Sequence, residues 1–394
     1  MVAQNSLTSS GTQLSSALQQ LSTGFRVNTA ADDAAGYAIA QGMTSQINGL
    51  NQAAQNANDG VSLTQTASGA MTEIVNDLQT MRDLAVESLN ATNSANDRAD
   101  LNAQYTQLAA DINNVAANTQ FNGVNLLNGT FQGADFQIGA NAGQIISVSS
   151  IASAATNAVG NYYTTAATAG AYAGVAADAG TTASFDLVVS NAAGTATNTV
   201  TTGPVTLTGN QTTDLSQIAS AINQSLGSSS GIVATVDTAG TGISLSTATG
   251  AAQSVTVALN SSSTTTEAAG ALGLDATYAL GTAGGTAQNL SNTSVTSVDN
   301  SNLVLVSVDN ALQQLATSSA QLGAYQNRFQ AAITGLNTDS TNLSAAKSSI
   351  VDTNYAEATS SLSKAQILQQ AGTAMVAQAN TIPQNILTLL QKLP

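Results

Sequence analysis

Both ends of this 394-residue chain carry apolar heptads, and the long polar middle between them has neither lysine nor arginine. From Leu7 the apolar positions run through Leu14, Leu18, Leu21 and Phe25. Near the other end Leu368, Met375, Ile382 and Leu389 recur every seven residues, with Ala365, Gly372, Ala379, Ile386 and Leu393 as a second row. A 3.5-residue period marks helices that bury a narrow stripe against partner helices. Two such helices at opposite ends of one chain point to a protein that assembles, with these rows as its interface.

Composition narrows the chemistry. Seven basic residues face 22 acidic ones, a net charge of −15, which argues against nucleic acid or an anionic membrane as partner. The basic residues are Arg26, Arg82, Arg98, Arg328, Lys347, Lys364 and Lys392. There is no His, Cys or Trp, which removes disulfides, imidazole and thiolate metal ligands, and nucleophile systems built on His or Cys. No cofactor, no metal and no catalytic site is expected, so the chain reads as a non-enzyme. A carboxylate-only glycosidase in the middle segment is the one enzymatic alternative. No apolar run approaches the ~18 residues of a transmembrane helix. The N-terminus also lacks the basic and apolar regions of a cleaved signal peptide, so an exported chain of this kind needs a dedicated apparatus. Only 7% of residues are charged, which limits like-charge repulsion when identical surfaces stack.

Helical periodicity organises both flanks. Ile39, Met43, Ile47, Leu50, Ala54, Ala57 and Val61 step in threes and fours within a helix expected from about Asp32 to Asn90. After a looser stretch the pattern resumes at Met71, Ile74, Leu78, Met81 and Ala85. Leu101, Tyr105, Leu108, Ile112 and Val115 mark a second helix, ended near Asn118 and the Asn122-Gly123 turn. The third seam runs Val308, Leu312, Leu315, Ser319, Leu322, Gln326, Phe329, Ile333 and Leu336. Three such helices close a core as a bundle. Phe136, Ile138, Ile145, Ile146 and Val148 flank a Gly139–Gly143 turn and predict a hairpin.

From Ala152 to Asp299 the helical seam disappears. Phe185–Ser190, Val205–Thr208, Val233–Val236, Ile243–Leu245 and Val255–Leu259 read as short strands, and Thr213–Leu226 as a helix capped by Thr213 or Asp214. Alternation of Val, Ile and Leu with Thr and Ser favours a folded β-rich module over a disordered linker. The fold class is therefore α+β: long terminal helices forming a coiled-coil layer, a helical bundle with a β-hairpin, and an inserted β-rich outer domain. The expected divisions are 1–31 with 351–394, 32–151 with 300–350, and 152–299.

The flanks resemble the bacterial flagellin family. Leu14-Ser15-Ser16-Ala17-Leu18-Gln19-Gln20-Leu21-Ser22-Thr23-Gly24-Phe25-Arg26-Val27-Asn28, running on to Asp32-Asp33-Ala34-Ala35-Gly36, is similar to that family's first block. Asn56-Ala57-Asn58-Asp59-Gly60, Thr119-Gln120-Phe121-Asn122-Gly123, Ala365-Gln366-Ile367-Leu368-Gln369-Gln370-Ala371-Gly372, Ala377-Gln378-Ala379-Asn380 and Pro383-Gln384-Asn385 are further matches in order. The resemblance covers about residues 4–150 and 300–394. It implies a subunit of the extracellular flagellar filament, exported by the flagellar type III apparatus and polymerised with copies of itself. It also implies an export chaperone and hook-associated junction and cap proteins as partners. A hook–filament junction protein or a flagellin-like surface adhesin is the alternative on the same helices. Flagellins usually begin about ten residues earlier, which leads us to expect altered packing of Ile386–Leu393.

Several local features are weighed separately. Asp32-Asp33 reads as a helix start or turn before it reads as a metal pair. Tyr162, Tyr163 and Tyr172 read as structural before they read as a glycan-stacking cluster. Pro383, inside the last heptad, predicts a kink or a helix restart capped by Thr381. Gln79, Arg82 and Leu84 resemble a flagellin patch read by a vertebrate innate immune receptor. Thr80 and Gln104 stand where charged residues are usual, which predicts weak recognition. The N-terminal helix alone repays too little of its ordering entropy, so order at the ends is expected to come with assembly.

Overall fold

A computed structural model describes residues 2–165, 181–191, 196–226, 232–236, 242–247, 253–259, 277–280 and 285–390. The helices are α1 (Val2–Thr23), α2 (Ala34–Ser88), α3 (Ala95–Asn118), α4 (Gln211–Leu226), α5 (Val298–Val351) and α6 (Tyr355–Leu390). Two hairpins, β1 (Gln120–Phe121) with β2 (Val124–Asn125) and β3 (Ala134–Gln137) with β4 (Ile145–Val148), follow α3. The remaining strands are β5 (Tyr162–Thr165), β6 (Thr182–Ala183), β7 (Phe185–Asn191), β8 (Ala196–Thr201), β9 (Val205–Thr206), β10 (Ile232–Val236), β11 (Ile243–Thr247), β12 (Gln253–Leu259), β13 (Thr277–Leu280) and β14 (Gly285–Gln288). Contacts divide the chain into two compact units: Met1–Gly60, Asp135–Ile146 and Arg328–Pro394, and Val61–Ala134 with Ser147–Asn327.

In the second unit, helices form a bundle because each presents one apolar row. α2 buries Thr64, Ala67, Met71, Ile74, Leu78, Met81, Ala85 and Ser88 in alternating steps of three and four. The stretch that looked loose in the sequence thus belongs to the seam. Thr64 hides there because its hydroxyl donates to the Val61 carbonyl at 2.9 Å, which satisfies the buried group within its own helix. α5 contributes Val304, Val308, Ala311, Leu315 and Leu322, and α3 contributes Leu101, Tyr105, Ile112 and Ala116. Polar ties set α2 antiparallel to α5: the Ser301 hydroxyl to Ser88 Oγ at 3.0 Å, Arg82 to Asp309 at 2.8 Å, and Ser319 Oγ to Met71 Sδ at 3.6 Å. Ser94 opens α3 with a capping box closed by Asp97. Beyond it Asn122 (φ 49°) and Gly123 (φ 80°) make the tight turn between β1 and β2, a geometry that the Asn-Gly pair accepts readily.

The segments leading into and out of the outer strands are held by side chains of this bundle. The Asn113 side-chain Oδ1 accepts from the Thr156 N–H at 3.0 Å, Ser307 donates to the Gly160 carbonyl at 2.8 Å, and Ser88 donates to the Val295 carbonyl at 2.7 Å. The outer strands form two antiparallel four-stranded sheets, ordered β10-β11-β5-β14 and β13-β12-β7-β8, and an antiparallel pair of β6 with β9. Phe185, Leu187, Leu215, Ile218, Ile222, Leu245 and Val255 belong to their shared core. All five predicted strands are present. The cap of α4 is neither Thr213 nor Asp214. Asn210 accepts from the Thr213 N–H at 3.3 Å, while buried Asp214 turns back to accept from the Thr208 and Gly209 amides. A carboxylate that closes the turn from β9 is not available to cap the helix it sits in.

In the first unit, Gly60 of α2 lies under the ring of Phe329 of α5, which is fully buried. Phe136 meets that ring edge-on with centroids 5.2 Å apart, and Asn56 donates to the Gln137 carbonyl at 2.9 Å. The Asn56–Gly60 motif therefore seats the β3–β4 hairpin and leaves room for an aromatic ring.

A Cβ on residue 60 would stand 2.5 Å from Phe329 Cζ. Glycine to alanine inside a helix ordinarily gains up to ~1 kcal/mol. We expect Gly60→Ala instead to lose about 1–3 kcal/mol through overpacking, read by denaturant unfolding. In the bundle, the Asp77 carboxyl is pushed above its ordinary range by burial first, then by the charges of Asp111 and Glu73. The folded state then holds this proton more tightly than the unfolded chain, so the penalty is full at neutral pH and fades as pH falls through the raised value. Asp77→Asn should raise the melting temperature at neutral pH, and its advantage should vanish in acid.

Candidate assembly interface

The terminal helices α1 and α6 pack along each other within the first unit. α1 has no acidic residue in its first turn and no basic residue in its last, so its dipole has no support from charged side chains. Two close approaches fix the pairing: Leu7 against Gly372, and the Tyr355 hydroxyl over Gly24. They lie equally far apart on both helices, so one antiparallel register satisfies both. That register sets Leu14 on Ala365, Leu21 on Ala358 and Ala17 beside Leu362. Ser10, Ala17, Ala358 and Ala365 are buried, while Leu7, Leu14, Leu21 and Leu362 are half-buried. Each large side chain sits on a small one, which lets the two backbones approach closely.

A short knot closes the seam at one end. Gly24 takes φ +75°, a conformation that favours glycine, and its N–H returns to the Gln20 carbonyl at 2.8 Å. Phe25 and Asp352 form an antiparallel bridge, the Arg26 N–H reaches the Val351 carbonyl at 2.7 Å, and the Thr353 N–H reaches the Gly24 carbonyl at 2.9 Å. Val27 and Val351 are buried between these bonds. The acids nearby serve the backbone. Asp33 accepts from the Gly36 N–H at 2.8 Å and so caps α2. Asp32 accepts from the Asn28 and Thr29 amides, and the Thr29 N–H chiefly holds its carboxyl below the usual range. Among the described residues no group of three potential metal ligands occurs.

Beside the seam the pair leaves large apolar side chains uncovered. Leu18 is 50% exposed, Phe25 44%, Tyr355 58%, Ile367 65%, Leu368 43% and Met375 63%. The interface residues expected from the heptads thus fall into two sets. Leu7, Leu14 and Leu21 are half-buried against α6; Leu18, Phe25, Leu368 and Met375 remain exposed. In this pair only part of the apolar heptad surface is covered. Ile382, Ile386 and Leu389 continue the pattern along α6, though their side chains lie outside the described set, and Leu393 lies outside the described residues. α6 is helical through Pro383, so Thr381 is interior and caps nothing; a proline removes one helix hydrogen bond, and the helix continues on both sides of it. Sequence reasoning missed Ser10, Ala358, Tyr355 and Ile367. The clue was there in the small residues Ser10, Ala17 and Gly24 and Ala358, Ala365 and Gly372, each set spaced by sevens.

Two other expected sites differ in availability. Gln79 is exposed, Arg82 is paired with Asp309 at 2.8 Å, and Leu84 is buried in the bundle. Tyr162 is buried in β5, which leaves no free ring face for stacking; Tyr172 lies outside the described residues.

Ala365 is 1% exposed and faces Leu14 in this register. Ala365→Leu should push α1 off α6 at an overpacking cost of about 1–3 kcal/mol. Faster amide exchange in α1 with an unchanged melting transition of the bundle is the expected result.

Two family models match the chain: the bacterial flagellin N-terminal helical region over residues 1–132 and the bacterial flagellin C-terminal helical region over residues 305–390. Flagellin B of Vibrio cholerae is 36% identical over 394 residues, spanning 99% of this chain and 97% of its own length. The B-type flagellin of Pseudomonas aeruginosa is 34% identical over 478 residues, spanning 98% of this chain and 97% of its own. Among solved structures, FliC from Burkholderia pseudomallei superposes with a TM-score of 0.40 at 25% identity, covering 68% of this chain and 99% of that one.

Proposed function

The chain belongs to the bacterial flagellin family and is a structural subunit of the flagellar filament; from that premise we propose that its uncovered terminal row is the surface on which copies polymerise. The observation that carries this is the set of Leu18, Phe25, Ile367, Leu368 and Met375, large apolar side chains left exposed on helices already paired with each other. By spacing, the row continues through Ile382 and Leu389, with Ile386 and Leu393 beside it. Neighbouring subunits supply the missing cover through heterologous contacts that repeat without closing.

Assembly and order are coupled in this reading. Fixing the 22 residues of α1 costs ~1–2 kcal/mol each in backbone entropy. Full burial of a large apolar side chain returns only ~1.5–3 kcal/mol. The α1–α6 seam buries chiefly alanine, serine and parts of four leucines, so it does not repay that cost alone. Covering the outer row adds the burial that the isolated chain lacks. Residues 1–31 with 351–394 then form an inner layer, 32–151 with 300–350 a bundle layer, and 152–299 the outer face.

Export through the flagellar type III apparatus, an export chaperone, and hook-associated junction and cap proteins complete the proposed setting. The Gln79, Arg82 and Leu84 patch offers an immune receptor little, because Leu84 is buried and Arg82 is already engaged.

Electron microscopy of concentrated chain tests the proposal. Wild type should form long filaments, and Leu368→Asp should form none while its bundle melts at the wild-type temperature. Filaments of Leu368→Asp as abundant as wild type would show that the row lies outside the interface.

A further inference from the structure

Sulfur chemistry in this chain belongs to methionine alone, because no cysteine is present. The methionines differ sharply in access. Met71 and Met81 are 1% and 0% exposed in the bundle core, and Met43 is half-buried. Met375 is 63% exposed and stands on the uncovered face of α6, one heptad beyond Leu368. Leu and Ile occupy the neighbouring places of that row at 368, 382 and 389, so the single oxidisable side chain of the row sits in its middle.

We infer that Met375 is an oxidation site that controls polymerisation: peroxide modifies it in the free chain, and the sulfoxide keeps the chain out of the filament. The inference rests on the assembly surface proposed above and adds a regulatory chemistry to it. Hydrogen peroxide transfers one oxygen to the thioether. An S–O bond forms, the O–O bond breaks, sulfur is oxidised by two electrons, and the peroxide leaves as water. The product replaces a flexible apolar side chain with a polar, chiral one. A polar S=O desolvated without a hydrogen-bond donor opposes burial in an apolar row. Every subunit would meet its neighbours through the same residue, so the penalty repeats at each contact. Once buried between subunits, the thioether is out of reach of the oxidant. The chemistry is reversible by methionine sulfoxide reductases, which makes this a switch acting before assembly.

The experiment uses the full chain. Free chain and preformed filaments are treated with hydrogen peroxide, and peptide masses report oxygen added at Met375. The treated free chain is then brought to polymerising conditions, and the concentration remaining soluble after sedimentation is measured. Treated wild type should leave severalfold more soluble chain than untreated, treated Met375→Leu should match its untreated form, and sulfoxide reductase should restore wild-type assembly. Met375 should oxidise in the free chain and resist in the filament. Unchanged assembly of oxidised wild type, or equal impairment of oxidised Met375→Leu, overturns the switch while the untreated filaments leave the assembly surface standing. Equal oxidation of Met375 in filament and free chain removes that residue from the buried surface. If untreated wild type forms no polymer, both proposals fall together.

Discussion

The pairing of α1 with α6 depends on one steric arrangement: large side chains of each helix seated on glycine or alanine of the other. Leu7 on Gly372 and Tyr355 over Gly24 lock the register at its two ends. This arrangement brings the backbones close, yet it buries little apolar area because half of every layer is a methyl group or a hydrogen. Geometric definition and thermodynamic weakness therefore come from the same residues. A seam of leucine on leucine would hold the ends more firmly and leave less reason for a neighbour to complete them.

The knot at Gly24–Asn28 and Ile350–Thr353 transmits that register to the rest of the first unit. It combines main-chain hydrogen bonds with side-chain bonds to main-chain carbonyls, Arg26 to Ile350 and Asn28 to Phe25, which keep direction without demanding a packed apolar core. The bundle of the second unit uses another strategy. Long buried rows on α2 and α5 supply stability, while a few polar ties such as Ser88 with Ser301 fix how the helices align. Isolated surface ion pairs contribute little by themselves, so Arg82 with Asp309 serves alignment more than strength.

Much of this was legible without coordinates. Strong apolar rows such as Met71–Ala85 and Val308–Leu336 announced their helices, and the Asn122-Gly123 dipeptide announced its turn. The seam on α2 was lost from about residue 60 to 70 because Gly60, Thr64 and Ala67 do not look like core residues. Each is buried for a reason outside its own side-chain hydrophobicity: room for Phe329, a hydroxyl satisfied within the helix, and close approach. The cap of α4 was misplaced because Asp214 serves the preceding turn, a choice visible only once the Thr208 and Gly209 amides are placed.

For the candidate interface, the sequence by itself determined that two heptad helices stand at the ends of the chain and that each carries two apolar rows. It determined this because periodicity is a property of a single helix. Which row turns inward is a property of the pair. Only tertiary structure decided that Leu7, Leu14 and Leu21 face α6 across the small residues, while Leu18, Phe25, Leu368 and Met375 remain uncovered. Complementarity of size between two distant segments made that choice, and no segment read alone contains it.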